Sequence, residues 1–295
     1  MEGAKLKNII ILILLLLNLF LLLLVGGRRL EDDQSVESAR HSAIEVLRSS
    51  GVTVAEETVP RGMDLRAGLA QRDLDRERML AAALLAGAVE VDARGGEMYR
   101  YSNANGQVQF HSTGEFWAQF EPGTQPLAGR TAREHGAAVL ARLEVACQVL
   151  DDQVEQDSGQ ITFRQMVDGV PVLDCQATLH YDRGQLTHIS NGRWVVGKPD
   201  LVPVGDEVTV ATALVRLLNG MKGLGDIYTS IEEITPAYTV SISLSGPAQL
   251  TPVWLVRTDT GAYLLDTQTG QIGRLGSGSA PALSIHMEAE RSQDQ

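Results

Sequence analysis

Motifs of the common enzyme classes are missing from this chain of 295 residues. It has no P-loop, no G-x-G-x-x-G after a predicted strand, no H-E-x-x-H and no G-x-S-x-G elbow. Glycine-rich phosphate binding, zinc hydrolysis and serine hydrolysis therefore have no support in the sequence. A catalytic site built from residues far apart in sequence stays open, but we expect a protein that is not an enzyme and has no catalytic residues and no cofactor.

Histidine gives no clear metal site. The six histidines are scattered: His41, His111, His135, His180, His188 and His286. His180 and His188 would face each other across a hairpin at Arg183-Gly184 if its loop held three residues. Two imidazoles without a third ligand make a poor metal site, and single surface imidazoles explain the pattern more simply. We expect no bound metal ion.

Basic residues are scarce. Residues 30–295 hold 21 of the 25 Lys and Arg residues but 36 of the 37 Asp and Glu residues, a net charge of −15. Such a surface repels phosphate backbones and anionic lipid headgroups. We therefore expect no nucleic-acid partner. The length of this part also exceeds that of a usual single domain, which predicts two domains or a fused pair.

Long apolar runs are limited to one segment at the start of the chain. Residues 9–25 are apolar except for Asn18. As a helix they would extend ~26 Å, close to the ~30 Å of a bilayer core. A cleaved signal peptide is the alternative, but the run is long for one and ends in "VGGRRLEDD" without an A-x-A-like site. We expect an uncleaved single-pass anchor.

The orientation of this anchor rests on few residues. Lys5 and Lys7 precede the span, and Arg28 and Arg29 follow it, so the positive charges tie. The free amino terminus favours the inside for the first residues. We therefore expect a cell-membrane protein with a cytoplasmic N-terminus and most of the chain extracytoplasmic.

Asn18 is a polar side chain inside the predicted span. An amide in hydrocarbon requires a hydrogen-bond partner. Either Asn18 bonds a carbonyl of its own helix or is merely tolerated, or it contacts another membrane helix. The contact with another helix would make Asn18 a candidate transmembrane partner contact.

After the span, helices alternate with antiparallel strands. Apolar spacing predicts helices within 35–51, 73–87, 131–152 and 207–220. Strands are predicted at 52–60, in three segments across 97–123, at 160–167, 170–181 and 185–194, and in three segments from 237 onward. Asn105-Gly106, Asp168-Gly169 and Arg183-Gly184 are typical of tight hairpin turns.

This order contains an internal repeat of a helix followed by strands. Helices on one face of an antiparallel sheet give an α+β fold, here in tandem units behind a single transmembrane helix. The predicted domains are a tail and anchor at 1–29, an α+β unit at 30–122, repeats at 131–196 and 207–275, and a disordered tail at 276–295.

The two cysteines, Cys147 and Cys175, fall in the first of these repeats. Cys147 lies on the apolar stripe of the predicted helix 131–152, and Cys175 lies on the apolar face of the strand 170–181. Both therefore point into one helix–sheet layer. They are two buried thiols or, outside the cell, a candidate disulfide.

Two parts of the sequence resemble known families. "MEGAKLKNIIILILLLLNLFLLLL" with "LNLF" at 17–20, and "GQVQFHSTGEFWAQF" at 106–120, resemble the YycH/YycI family of two-component regulatory proteins, YycI in particular. "FRQMVDGVPVLDCQATLHYDRGQL" at 163–186 is similar to the PepSY module. The motif "P-x-W … Y … D-x-x-T-G" of that module is matched by Pro252, Trp254, Tyr263, Asp266, Thr269 and Gly270.

The resemblance implies a function in signalling. It implies a Gram-positive cell membrane and a regulator that binds a WalK (YycG)-type sensor histidine kinase, which controls cell-wall metabolism. The implied partners are that kinase and a YycH-like companion protein, reached through the membrane helix and the ectodomain. Two alternatives remain: a YpeB-like protein that holds a cell-wall lytic enzyme in sporulation or germination, and a PepSY-type protease inhibitor.

Overall fold

A computed structural model describes residues 36–60, 66–144, 146–196, 199–203, 209–223, 228–242, 246–267 and 269–275. The predicted span with Asn18 and the predicted tail at 276–295 lie outside these ranges. Within them, every helix falls short of the length and apolar character that crossing a membrane requires.

The described residues form helices and strands in a mixed α+β fold with one large sheet. The helices are α1 (residues 36–49 of the described chain), α2 (Leu74–Leu84), α3 (Ala132–Arg142) and α4 (Val210–Gly223). The strands are β1 (Thr53–Val54), β2 (Arg66–Ala70), β3 (Glu90–Arg94), β4 (Met98–Asn103), β5 (Gly106–His111), β6 (Glu115–Phe120), β7 (Ala146–Glu155), β8 (Ser158–Val167), β9 (Val170–Asp182), β10 (Gln185–Arg193), β11 (Asp200–Pro203), β12 (Ser230–Ile242), β13 (Ala248–Thr258), β14 (Gly261–Asp266) and β15 (Ile272–Arg274).

The chain divides into two compact units. Of the described residues, the first unit takes 36–60, 209–223, 228–233 and 258–260, and the second takes those within 66–203, 234–257 and 261–275. In the first unit, β1 pairs in parallel with the start of β12. The predicted strand 52–60 is wrong beyond Val54, because a 3-10 turn at Glu56–Thr58 follows.

A buried arginine holds this turn in the first unit. Arg40 of α1 donates from Nε to the Val59 carbonyl at 2.9 Å and also bonds the Glu56 carbonyl. Carbonyls that would otherwise be paired in a longer strand are satisfied by this side chain. The guanidinium thereby takes the place of the interstrand hydrogen bonds that a longer strand would have made.

The second unit is built on a meander of eight strands in the order β7-β8-β9-β10-β6-β5-β4-β3. Neighbours in this series are antiparallel. Helix α2 packs on β4 and β5, and α3 packs on β7 and β8. Strands β11, β2, β13 and β12 continue the sheet beside β9.

The meander contains the same motif twice. A helix is followed by four antiparallel strands in α2-β3-β4-β5-β6 and again in α3-β7-β8-β9-β10, and β6 pairs with β10 to join the two. The chain order α4-β12-β13-β14-β15 repeats it a third time. Sequence reasoning missed the first copy because β3 was not predicted.

The predicted helix 131–152 is wrong in its second half. Thr131 caps α3 in a capping box with Glu134, as helix starts often do, but α3 ends at Arg142. Glu144 then takes a left-handed backbone with φ 55°, and β7 begins at Ala146. Cys147 therefore lies on a strand and not on a helix.

Two predicted hairpin turns are confirmed. Asp168-Gly169 joins β8 to β9 and Arg183-Gly184 joins β9 to β10, with φ values of 49°, 81°, 46° and 76°. These positive values suit type I′ turns. The third turn lies one residue earlier than predicted, because Asn103 pairs with Gly106 and leaves Ala104-Asn105 as the loop.

Candidate functional site: a polar cleft on the helix-free face

The two faces of the second-unit meander differ. On the face covered by α2 and α3, β8 buries Ile161, Phe163 and Gln165, while the intervening residues are half-buried. Helices α2 and α3 contact each other and share this face; the opposite face, which neither of them covers, we call the helix-free face. Because strand side chains alternate between faces, this helix-free face receives the polar residues of each strand.

A cleft of about 540 Å³ opens on this helix-free face where β5, β6, β9 and β10 meet. Its lining residues are His111, Glu115, Phe116, Trp117, Asp174, Gln176, Asn191, Gly192 and Arg193. We call it the polar cleft. Most of its side chains are hydrogen-bonding groups, and the Trp117 indole is half-buried among them.

A β-bulge in β10 shapes the polar cleft. Ile189 pairs with Ala118 and Gly192 pairs with Phe116. Between these two pairs, β10 therefore contains one residue more than β6. Asn191 takes φ 49° and is exposed, and Arg193 comes to lie opposite Glu115. A Cβ at Gly192 would stand 2.5 Å from the Phe116 carbonyl oxygen, so only glycine allows this approach.

Asp174 lies at the base of the polar cleft and is 3% exposed. Its Oδ2 accepts a hydrogen bond from the Val240 amide at 2.9 Å, whereas its Oδ1 has no partner. Burial raises the pKa of this carboxyl, although the Val240 bond and the charges of Arg193 and Arg164 oppose the rise. The Nε atoms of both arginines are also buried without a partner.

A pair of stacked histidines lies on the same face in a neighbouring groove. His180 and His188 are register partners with ring centroids 4.0 Å apart and nearly parallel planes. His180 Nε2 shares a hydrogen bond with Ser190 Oγ at 2.7 Å. Burial lowers the pKa of both rings, and the neighbouring His188 lowers that of His180 further.

His180 and His188 face each other for a different reason from the three-residue loop considered from the sequence. The loop holds two residues, not three, and a bulge between Leu186 and His188 supplies the register shift instead. Thr187 stabilises it by donating from Oγ1 to the His180 carbonyl at 3.0 Å. In the described chain, no three His, Cys, Asp or Glu side chains come together as a metal site.

Of the predicted site residues, only the cysteines can be located. Cys147 lies on β7 opposite Gln165 of β8, and Cys175 lies on β9, so β8 separates them. Two strand spacings make ~10 Å, more than the ~7 Å that a disulfide spans. Both are free thiols, and burial raises the pKa of Cys175 to about 12. The predicted packing of the pair within disulfide reach is therefore wrong.

Sequence reasoning missed the residues of the polar cleft. Asp174, Trp117 and Arg193 belong to three strands and form no motif. One signal was present in β9, where polar Asp174, Gln176, Thr178 and His180 alternate with apolar residues. That alternation marks a second, polar face but says nothing of what faces it from β6 and β10.

Comparisons with known proteins match the same region. Residues 149–192, from β7 to β10, match the Fungalysin/Thermolysin Propeptide Motif. This match supports the predicted PepSY-like character of the repeat at 131–196; the narrower likeness to YycI is not supported. No curated protein matches the chain.

Two solved structures show distant likeness. An uncharacterized protein from Eubacterium rectale is 14% identical at a TM-score of 0.43, over 73% of this chain and 87% of that one. The Bacillus megaterium YpeB C-terminal domain is 10% identical at a TM-score of 0.36, over 70% of this chain and 100% of that one. Both values are too low to bear on function.

Proposed function

We propose that this chain is a non-catalytic regulator that binds a partner enzyme and holds it inactive. The observation that carries the proposal is the propeptide-motif match over 149–192. PepSY-type units occur ahead of metalloprotease domains, so the partner class that fits first is a peptidase of the thermolysin kind. The helix-free face of the meander, with the polar cleft, is the surface that we assign to the partner.

The physical basis is the breadth and rigidity of this surface. Each strand of the meander pairs with its neighbours, and α2 and α3 cover its other face with a buried core. A preorganised sheet loses little conformational entropy on binding. The proposal places the surface outside the cell, in line with the predicted anchor.

Inhibition of a peptidase tests the proposal. The full-length chain, purified in detergent, is titrated against thermolysin with a short peptide substrate. We expect the rate to fall until about one chain is present per enzyme molecule, with the chain left uncleaved. An unchanged rate at excess chain would contradict the proposal for this enzyme class.

Two matched variants locate the contact. Gln119→Arg places a large side chain on the helix-free face, at an exposed position of β6, and should weaken inhibition. Ala137→Arg places the same side chain at an exposed position of α3 on the opposite face and should leave it unchanged. If both variants changed inhibition equally, the contact with the peptidase would not lie on the helix-free face.

Regulation of a WalK-type kinase, implied by the resemblance to YycI, is not supported by the comparisons and stays a prediction. The YpeB-like alternative differs from our proposal in the partner, a cell-wall lytic enzyme instead of a peptidase. Replacing thermolysin by a cell-wall hydrolase in the same titration separates the two.

A further inference from the structure

The polar cleft holds several hydrogen-bonding groups that no other side chain satisfies. Asp174 Oδ1 and Arg193 Nε are buried without partners. Nearby, Glu115 and Asn191 are exposed and Gln176 is half-buried. Protein interiors rarely leave such groups unpaired, so the unsatisfied atoms mark a place where a ligand can complete the bonding.

The polar cleft contains hydrogen-bond donors and hydrogen-bond acceptors close to one another. Asp174 Oδ1 accepts when ionised, Arg193 donates only, and the amides of Gln176 and Asn191 do both. An isolated cation would be repelled by Arg193, and an isolated anion by Glu115. A ligand that offers alternating N–H and C=O groups satisfies both signs at once.

We propose that the polar cleft binds an extended peptide segment of the partner protein through its main chain. This inference rests on the proposed regulatory function and names the contact. A peptide N–H would donate to Asp174 Oδ1, and a neighbouring C=O would accept from the guanidinium of Arg193. The Trp117 indole would cover one ligand side chain, as aromatic rings often do at interfaces.

The dimensions of the polar cleft suit this ligand. Asp174, Arg193 and Glu115 lie on β9, β10 and β6, which are consecutive strands of the sheet. β9 pairs with β10 only from Thr178 to Asp182, so the two strands have separated at Asp174 and the cleft of about 540 Å³ opens where they part. The raised pKa of Asp174 agrees with a carboxyl that lacks a donor in the free protein.

Selection from a random peptide library tests the proposal. A phage-displayed library of random hexapeptides is panned on the full-length chain, and enriched peptides are synthesised with blocked ends and measured by calorimetry. We expect saturable binding that Arg193→Gln and Gln176→Ala each weaken at least tenfold. Arg183→Gln is the matched control, because Arg183 is exposed at the β9–β10 turn and should not change affinity.

Each other outcome overturns the proposal. Failure to enrich any peptide, or equal affinity in Arg193→Gln and wild type, would show that the cleft takes no peptide. Binding of chitotetraose that Arg193→Gln abolishes, with no peptide binding, would make it a saccharide site. Circular dichroism checks that each variant is folded.

The peptidase titration separates this inference from the proposed function. Peptide binding without inhibition would contradict the regulatory role, while the polar cleft would still be a peptide-binding site. Inhibition that survives Arg193→Gln would support the regulatory role and remove the cleft from its contact surface.

Discussion

The stacked imidazoles of His180 and His188 show how a single residue depends on its strand neighbours. The rings are in contact, His180 is half-buried, and Ser190 and Thr187 bond to them. Burial disfavours a positive charge on both rings, and on His180 the adjacent ring does so as well. The pair is therefore stable when both rings are neutral.

We predict that His188→Gln reduces the acid sensitivity of folding. Because the folded-state pKa of each ring is lowered, the unfolded chain takes up protons first as the pH falls below about 6.5. The stability contributed by these rings is complete above that pH and is lost as the pH falls through the folded pKa. Melting temperatures between pH 7.5 and 5 should fall less steeply in the variant. Equal slopes would contradict the prediction.

Asn18 is a residue whose role is predicted from sequence alone. We expect Asn18→Leu to insert into the membrane and leave the ectodomain folded, since leucine is more apolar. If Asn18 bonds another membrane helix, the variant loses ~0.6–2 kcal/mol of association. Co-purification with the partner and kinase output should then drop. If both are unchanged, Asn18 is only tolerated in the span.

At the scale of elements, the contact between α3 and the sheet depends on one glycine. A Cβ on Gly136 would lie 2.7 Å from Phe163 Cε2 and 3.1 Å from Leu179 Cδ2, and both of these side chains are buried. A side chain at this position would therefore push against the buried Phe163 ring, and the glycine lets the helix lie close to the sheet here.

We predict that Gly136→Ala destabilises the protein although alanine favours helices. Overpacking costs about 1–3 kcal/mol, whereas helix propensity returns at most about 1 kcal/mol. Urea unfolding should show a lower midpoint. The double variant Gly136→Ala/Phe163→Leu should lose less than the two single changes added together, since the smaller side chain relieves the contact. A more stable Gly136→Ala variant would contradict the close packing.

The elements also show where sequence patterns fail. The stripe through Leu140, Leu143, Cys147 and Leu150 fits helical spacing, yet α3 stops at Arg142. In β7 the alternate residues Cys147 and Val149 are half-buried and their neighbours exposed, a period of two that short windows share with a helix. Pairing with β8 selects the strand, and that partner is invisible in the local sequence.

At the scale of the whole molecule, the predicted orientation can be tested directly. We expect proteinase K added to intact cells to remove most of residues 30–295, because the span predicts an extracytoplasmic location. A cytoplasmic protein should stay intact in the same cells as the control for lysis. Protection of the full chain until the cells are broken would contradict the orientation and the proposed extracellular partner.

The sequence by itself determined the α+β class and the hairpins at Asp168-Gly169 and Arg183-Gly184, because each turn needs positive φ values that adjacent residues provide. Tertiary structure decided the joining of β6 to β10, the bulges at Thr187 and Asn191, and with them the polar cleft. Asp174, Trp117 and Arg193 meet only because strands far apart in sequence pair in one register. That register depends on the packing of the whole sheet, and no local pattern carries it.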